Sequence, residues 1–95
     1  MPVKLCCSQK LLILRDYDAE HNTEFYETLR TYLDNHLNAV QSAKELFIHR
    51  STFLYRMDRI KELIGLDMED KDMLLYLMIS YRLLDASGHG GRSEA

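Results

Sequence analysis

FIHRSTFLYRMDRIKELIG, residues 47–65, carries apolar residues at the spacing of an amphipathic helix. The residues that recur at intervals of three and four are Phe53, Met57, Ile60 and Ile64. This spacing puts them on one face, so we predict a helix over 50–64 that is held by a single apolar stripe. Gly65 suits the left-handed conformation that ends many helices, and Leu66 is placed for the apolar contact that accompanies such an end.

The face opposite this stripe is polar and cationic. Four basic residues and one acidic residue give residues 48–61 a net charge of +3, although the whole chain has a net charge of −3. Residues 16–35 contain six acidic residues and one basic residue, a net charge of −5. The chain is therefore polarised, and such polarity orients binding even when the total charge is acidic.

A short helix is predicted just before this segment, over 38–47. Asn38 is a suitable N-cap, and Gln41 three residues later completes a pattern like a capping box. Ala39, Ala43 and Phe47 fall on one face, and the two alanines there allow another helix to cross closely. Only about three residues separate this helix from the next one.

Two such helices, joined by a tight connection, form the helix-turn-helix arrangement, in which the second helix enters the major groove of DNA. We predict that Arg50, Ser51, Thr52 and Tyr55 lie in the groove. Three further residues are predicted to contact the DNA backbone: Arg56, Arg59 and Lys61. Arg56 could instead lie along the core and pair with an acid such as Glu45, and His49 could touch DNA, cap the helix or fill the turn.

The remaining segments predict an all-α fold of about five helices. A lead-in segment, 1–21, has a helix from about Ser8, its expected N-cap, to Glu20. The predicted DNA-binding domain, 22–86, adds a helix over 24–35, capped by Asn22 or Thr23. It ends with an apolar helix over 70–85, which is either central to the core or shared with a partner. The tail, 87–95, has the composition of a disordered end.

Composition excludes several classes of function. The chain has 95 residues, enough for one domain, and its two cysteines are the neighbours Cys6 and Cys7, without the spacing of a zinc site. No signal peptide or membrane-spanning run is present, so we expect a cytoplasmic protein. The histidines outside residues 47–65 are isolated from any catalytic partner, and no glycine-rich phosphate loop occurs. We therefore expect no metal, no cofactor and no enzymatic activity.

Residues 24–84 resemble the C-terminal helix-turn-helix domain of the PucR/CdaR family of bacterial transcriptional regulators, whose DNA-binding unit is Fis-like. The similar stretches are ETLRTYLDN, SAKELF, IHRSTFLYRMDRIKELIGLD and LLYLMISYRLL. The most specific part is the combination of His49-Arg50, Thr52, Tyr55-Arg56, Arg59-Ile60 and Leu63 to Leu66. The resemblance implies transcription regulation in a bacterium, through binding of double-stranded DNA.

The sequence also departs from the family pattern. The family commonly has a basic residue where this chain has Leu54, which implies a narrower basic face. Such regulators usually carry an effector-sensing region before this domain, and we expect it to be absent from this chain. We expect a homodimer that reads a two-part site. The alternatives are a helical dimerisation or protein-interaction module without DNA contact and, with less support, a small helical enzyme subunit.

Overall fold

Over residues 3–86, the fold consists of five α-helices. The computed structural model describes residues 3–86, with side chains over 9–85. The helices are α1 (Val3–His21), α2 (Phe25–Asp34), α3 (Ala39–Leu46), α4 (Arg50–Ile64) and α5 (Lys71–Ala86). The predicted all-α class and helix number are confirmed. The predicted disordered tail and the side chains of the two cysteines lie outside the described residues.

The core is built around the apolar stripe of α4. Phe53 and Ile60 have no exposed surface, and Met57 and Ile64 are buried beside them. Helix α4 packs against α1, α2 and α3, while α5 lies mainly along α1. The other buried apolar residues are Leu11, Leu14, Phe25, Leu29, Leu33, Ala43, Leu66, Leu74, Leu77 and Tyr81. The sequence spacing therefore identified the side of α4 that faces the core.

Both ends of α4 follow the sequence signals. The helix spans Arg50–Ile64, as predicted, and Gly65 has the left-handed φ of 63°. The Leu66 amide donates to the carbonyl of Lys61 over 3.1 Å, and Leu66 is buried, which completes the expected helix end. Lys10 of α1 adds a bond that the sequence did not predict, from its Nζ to the Ile64 carbonyl at 2.5 Å. Helix α1 thus stabilises the C-terminus of α4.

Helix α3 begins at its predicted cap. The Asn38 side chain accepts from the amide of Gln41 over 3.0 Å. The prediction that Gln41 completes a capping box is wrong, because its side-chain amide lies 3.5 Å from Glu45 Oε2 instead. Ser42 and Ala43 are buried, and the Ser42 hydroxyl donates to the Asn38 carbonyl over 2.7 Å. These small side chains allow the close crossing that the alanines indicated.

Phe47 does not join the core, contrary to the prediction. It ends α3 in the left-handed conformation, with φ 58° and ψ 43°, and is 93% exposed. This backbone reversal turns the Phe47 side chain away from the buried face of α3. Ile48, the next residue, packs against the core instead. Residues 47–49 form the tight connection of the helix-turn-helix.

Helix α2 is capped from a distance. The prediction that Asn22 or Thr23 supplies the cap is wrong, because the carboxylate of Asp18, near the end of α1, takes that role. Asp18 accepts from the amides of Phe25 and Tyr26, each over 2.9 Å, and from the Thr23 hydroxyl. Asn22 has a φ of 57° and turns the chain between the two helices. One carboxylate thus fixes the angle between α1 and α2.

Helix α1 is longer than predicted. It spans Val3–His21, so Ser8 lies within the helix and is not its N-cap. Residues 3–7 contain no glycine or proline, and nothing in them stops the helix from extending towards the N-terminus. Among the helices of residues 3–86, none is long and apolar enough to cross a bilayer.

Helix α5 is joined to α2 through a tyrosine. The hydroxyl of Tyr81 donates to the carbonyl of Tyr26 over 2.7 Å, and the two rings lie 4.9 Å apart. Burial raises the pKa of Tyr81 well above its usual value, so the hydroxyl stays protonated and able to donate. Leu75 and Leu83 on the outer side of α5 are 52% and 53% exposed. The helix is therefore part of the core on one side and open on the other.

Replacing Asp18 with alanine should lower the free energy of unfolding by about 2 kcal/mol, because two amides and one hydroxyl lose their acceptor. Urea denaturation followed by circular dichroism measures the change. Asp16→Ala is the matched control, since Asp16 is an exposed acid on the same helix. Equal losses in the two variants would contradict the capping role of Asp18.

Candidate nucleic-acid interface

The N-terminus of α4 is fixed by the residue that precedes it. His49 caps the helix: its Nδ1 accepts from the Ser51 amide over 3.2 Å, and the Ser51 hydroxyl lies 2.9 Å from the same nitrogen. Of the three roles considered for His49, the structure therefore supports capping. Arg50 is the first residue of the helix and is exposed. The cap presents the first turn of α4 to solvent in a defined orientation.

The outward face of α4 carries most of the residues predicted to contact DNA. Tyr55 is 62% exposed, and Leu54 beside it is 47% exposed. The other predicted residues that are exposed are His49, Arg50, Ser51, Thr52 and Lys61. Five of these positions lie within the first two turns of the helix or just before them. The N-terminal half of α4 therefore combines positive charge, hydroxyl groups and one apolar side chain on an accessible surface.

Arg56 occupies a different position from its neighbours. Its side chain is 19% exposed, and its Nη1 donates to the hydroxyl of Thr28 over 3.0 Å and lies 3.8 Å from Glu24 Oε1. This agrees with the alternative considered for Arg56, a stem along the core and an acidic partner, but the acid is Glu24 and not Glu45, which accepts from Asn35 over 3.1 Å. Arg56 thus links α4 to α2 across the core boundary. Its predicted contact with DNA stays a prediction.

Arg59 lies between two partners at the edge of this face. Its Nη1 is 2.7 Å from Glu62 Oε1, and its side chain is 37% exposed. A hydrogen bond with Tyr17 of α1 raises the pKa of the Arg59 guanidinium above its usual value. The Tyr17 ring is held by stacking on His21, with ring centres 4.0 Å apart, and on Phe25 at 5.5 Å. The end of α1 thus lies beside α4.

A cleft separates α4 from the link between α1 and α2, and we name it the flank cleft. Its volume is about 690 Å³. The α4 residues that line it are Thr52, Tyr55, Arg56 and Arg59, and those from the other side are Tyr17, Asn22, Thr23, Glu24 and Phe25. Four of the predicted DNA-binding residues meet here. Sequence reasoning missed Tyr17 and Asn22, because nothing in their local pattern indicates contact with a helix so distant in the chain.

The carboxylates around this cleft are largely engaged. Asp18 accepts three hydrogen bonds from the start of α2, Glu24 lies beside Arg56, and Glu62 lies beside Arg59. Asp58 is an exposed acid on α4 itself. Over residues 9–85, the structure brings together no group of three or more histidine, cysteine or acidic side chains that could hold a metal ion.

Comparison with known proteins gives a consistent family match. The model of a family described as the PucR C-terminal helix-turn-helix domain matches residues 25–83. The chain is 30% identical over 64 residues to the purine catabolism regulatory protein of Bacillus subtilis (strain 168). It is 36% identical over 63 residues to the proline-responsive transcriptional activator PutR of the same organism. It is 36% identical over 64 residues to the carbohydrate diacid regulator of Escherichia coli (strain K12).

These matches cover much of this chain but little of the relatives. They span 67%, 66% and 67% of the chain, in the order given, and 12%, 15% and 17% of the three regulators. The similarity therefore concerns one domain of each relative. No solved structure gives a significant match.

Replacing Arg56 with methionine should lower the free energy of unfolding by about 1 kcal/mol, because the buried Thr28 hydroxyl loses a donor while the apolar stem is kept. Thermal and urea denaturation measure this loss. The control is Arg50→Met, which removes an exposed guanidinium from the same helix and should leave stability unchanged. An Arg56→Met variant with the same free energy of unfolding as the wild type would show that the link between α4 and α2 contributes nothing to stability.

Proposed function

The chain belongs to the PucR C-terminal helix-turn-helix family, and from this premise we propose that it binds double-stranded DNA sequence-specifically as the output domain of a transcriptional regulator. The observation that carries the proposal is the outward face of α4. Its N-terminal half is exposed and cationic, while its opposite face is locked in the core by Phe53 and Ile60. A helix held in this way can enter a major groove without distorting the domain.

Individual roles follow from position on α4. Arg50, Ser51, Thr52 and Tyr55 occupy the first two turns, where the side chains of a recognition helix reach base edges. Arg59 and Lys61 lie further along the helix and contact backbone phosphates. His49 orients the first turn and lies close enough to it to meet a phosphate. We assign Arg56 mainly to positioning, because Thr28 and Glu24 already hold its guanidinium.

We further propose that two copies of the chain act together on DNA. A single acidic domain with a short cationic face makes few phosphate contacts, and two copies one helical turn apart would double them. An apolar groove of about 310 Å³ supports this proposal, with Leu37, Leu74, Leu75 and Met78 in its lining. Leu37 is 39% exposed and Leu75 is 52% exposed, so this surface is available for a second copy.

The DNA-binding proposal is tested by fluorescence anisotropy with a labelled duplex at about 50 and 200 mM salt, because affinity from phosphate contacts falls steeply over this range. Wild-type protein should bind the duplex, and its affinity should fall as the salt concentration rises. Arg50→Glu should bind at least tenfold more weakly at the lower salt concentration, because it reverses a charge at the groove. Sequence specificity is then measured by selecting bound duplexes from a random pool.

The matched control is Arg82→Glu, which makes the same charge change at an exposed position on α5. It should bind DNA like the wild type. Absence of binding by folded wild-type protein at low salt would contradict the proposed function. Equal losses in both variants would show that only total charge matters, which would contradict a specific role for α4.

The two-copy proposal predicts a separable effect of Leu75→Glu. This variant places a charge in the apolar groove, so it should weaken binding to a selected two-part site while leaving binding to a single half-site unchanged. Anisotropy on the two duplexes and analytical ultracentrifugation of the complexes measure affinity and stoichiometry. One copy bound per two-part site in the wild type would overturn the proposal.

A further inference from the structure

We propose that the flank cleft is a binding site for a phosphodiester group of the DNA backbone, and that Tyr17 and Asn22 contact DNA there together with Arg59. The inference rests on the proposed function and extends it to residues outside the family match, which begins at residue 25. It makes the end of α1 part of the DNA-binding surface.

The chemistry of the cleft suits an anion. Arg59 provides a guanidinium, Tyr17 and Tyr55 provide phenol groups, and Asn22 provides an amide, all lining the same space. These groups are hydrogen-bond donors of the kinds that proteins use to hold phosphate oxygens. A phosphodiester has two unesterified oxygens that can accept from several of them at once, and its negative charge strengthens each bond.

Each acidic group nearest the cleft has a cation or a hydrogen-bond donor of the protein beside it. Glu24 lines the cleft and is 72% exposed, and its carboxylate lies 3.8 Å from Nη1 of Arg56, whose positive charge partly offsets it. Asp18 accepts two amides and a hydroxyl at the start of α2. Glu62 Oε1 lies 2.7 Å from Nη1 of Arg59. Because the Glu62 side chain is 68% exposed, it is free to change rotamer when a phosphate binds. Arg59 can then replace its ion pair with Glu62, which solvent weakens, by an ion pair with the phosphate.

Placement links the cleft to the groove-reading face. Thr52 and Tyr55 belong both to the exposed first turns of α4 and to the lining of the cleft. When a recognition helix lies in a major groove, the two DNA strands pass along its flanks. The flank cleft lies along one of these flanks, so the strand on that side passes over it. The α1–α2 link then lies against the DNA backbone on the side that faces away from the groove.

Stacking orients the Tyr17 ring, and a held turn positions the backbone of Asn22, before DNA arrives. The Tyr17 ring lies between His21 and Phe25, with ring centres 4.0 and 5.5 Å away. Asn22 has a left-handed φ of 57° within the turn that Asp18 holds together. Groups that are already ordered lose little conformational entropy on binding. The cleft is thus a preformed site.

The test uses a duplex chosen by selection from a random pool, with single phosphates replaced in turn by uncharged methylphosphonates. One replacement, at the strand that flanks the groove, should weaken wild-type binding about tenfold, as expected for loss of a charge-assisted contact. Tyr17→Phe keeps the stacked ring, and Asn22→Gly keeps the left-handed turn. In each variant, and in Arg59→Gln, the penalty at that phosphate should shrink to about threefold or less.

Tyr76→Phe, which removes a tyrosine hydroxyl from α5, is the matched control and should keep the full penalty. Circular dichroism and thermal melting establish that each variant is folded. Phosphonate penalties that are the same in wild type and in all three cleft variants would overturn the inference while leaving DNA binding by α4 intact. Failure of wild-type protein to bind the unmodified duplex would overturn the proposed function, and the inference with it.

Discussion

The structure depends on one constraint: a single helix, α4, must be buried along one side and open along the other. Burial of Phe53 and Ile60 fixes the rotation of α4 about its own axis. The rings of Phe53 and Tyr32 meet edge to face, with their centres 5.2 Å apart, and this contact fixes the position of α4 along α2. With rotation and position set by the core, the direction of every outward side chain is determined. The orientation of the first turns of α4 is therefore a consequence of packing on its other side.

Helix α1 contacts α4 at two points, although all of α1 lies outside the family match. Lys10 meets the last carbonyl of α4, and Tyr17 meets Arg59 near its middle. Between these points, Leu11 and Leu14 are fully buried. These contacts and the shared core hold α1 and α4 in a fixed relative position, because closely packed side chains resist displacement. Helix α1, the predicted lead-in segment, thus shares one core with the helices that follow it, and the predicted division at residue 22 stays a prediction.

Sequence patterns predicted the features that depend on neighbouring residues. The apolar stripe of α4, the helix end at Gly65 and the cap at Asn38 each involve residues within one or two helical turns. The features that were missed join distant segments or depend on backbone reversal. Asp18 caps a helix other than its own, Arg56 finds Thr28 rather than Glu45, and Phe47 turns outward because of its left-handed φ. The predicted contacts with DNA are a separate matter, since they concern a molecule outside the fold.

Charge distribution explains how an acidic chain can present a cationic surface. Some carboxylates are engaged by donors of the fold itself, as with Asp18 at the cap of α2 and the exposed Asp85 paired with Arg30. Fields from exposed charges are screened over a Debye length of about 8–10 Å at physiological salt, so a phosphate beside α4 responds mainly to its nearest neighbours. The acidic residues elsewhere on the domain repel a duplex that binds out of register, because its phosphates then lie near carboxylates. Under the proposed function, a domain of this kind depends on close contact with DNA at the correct register, and that dependence favours sequence recognition over general affinity for DNA.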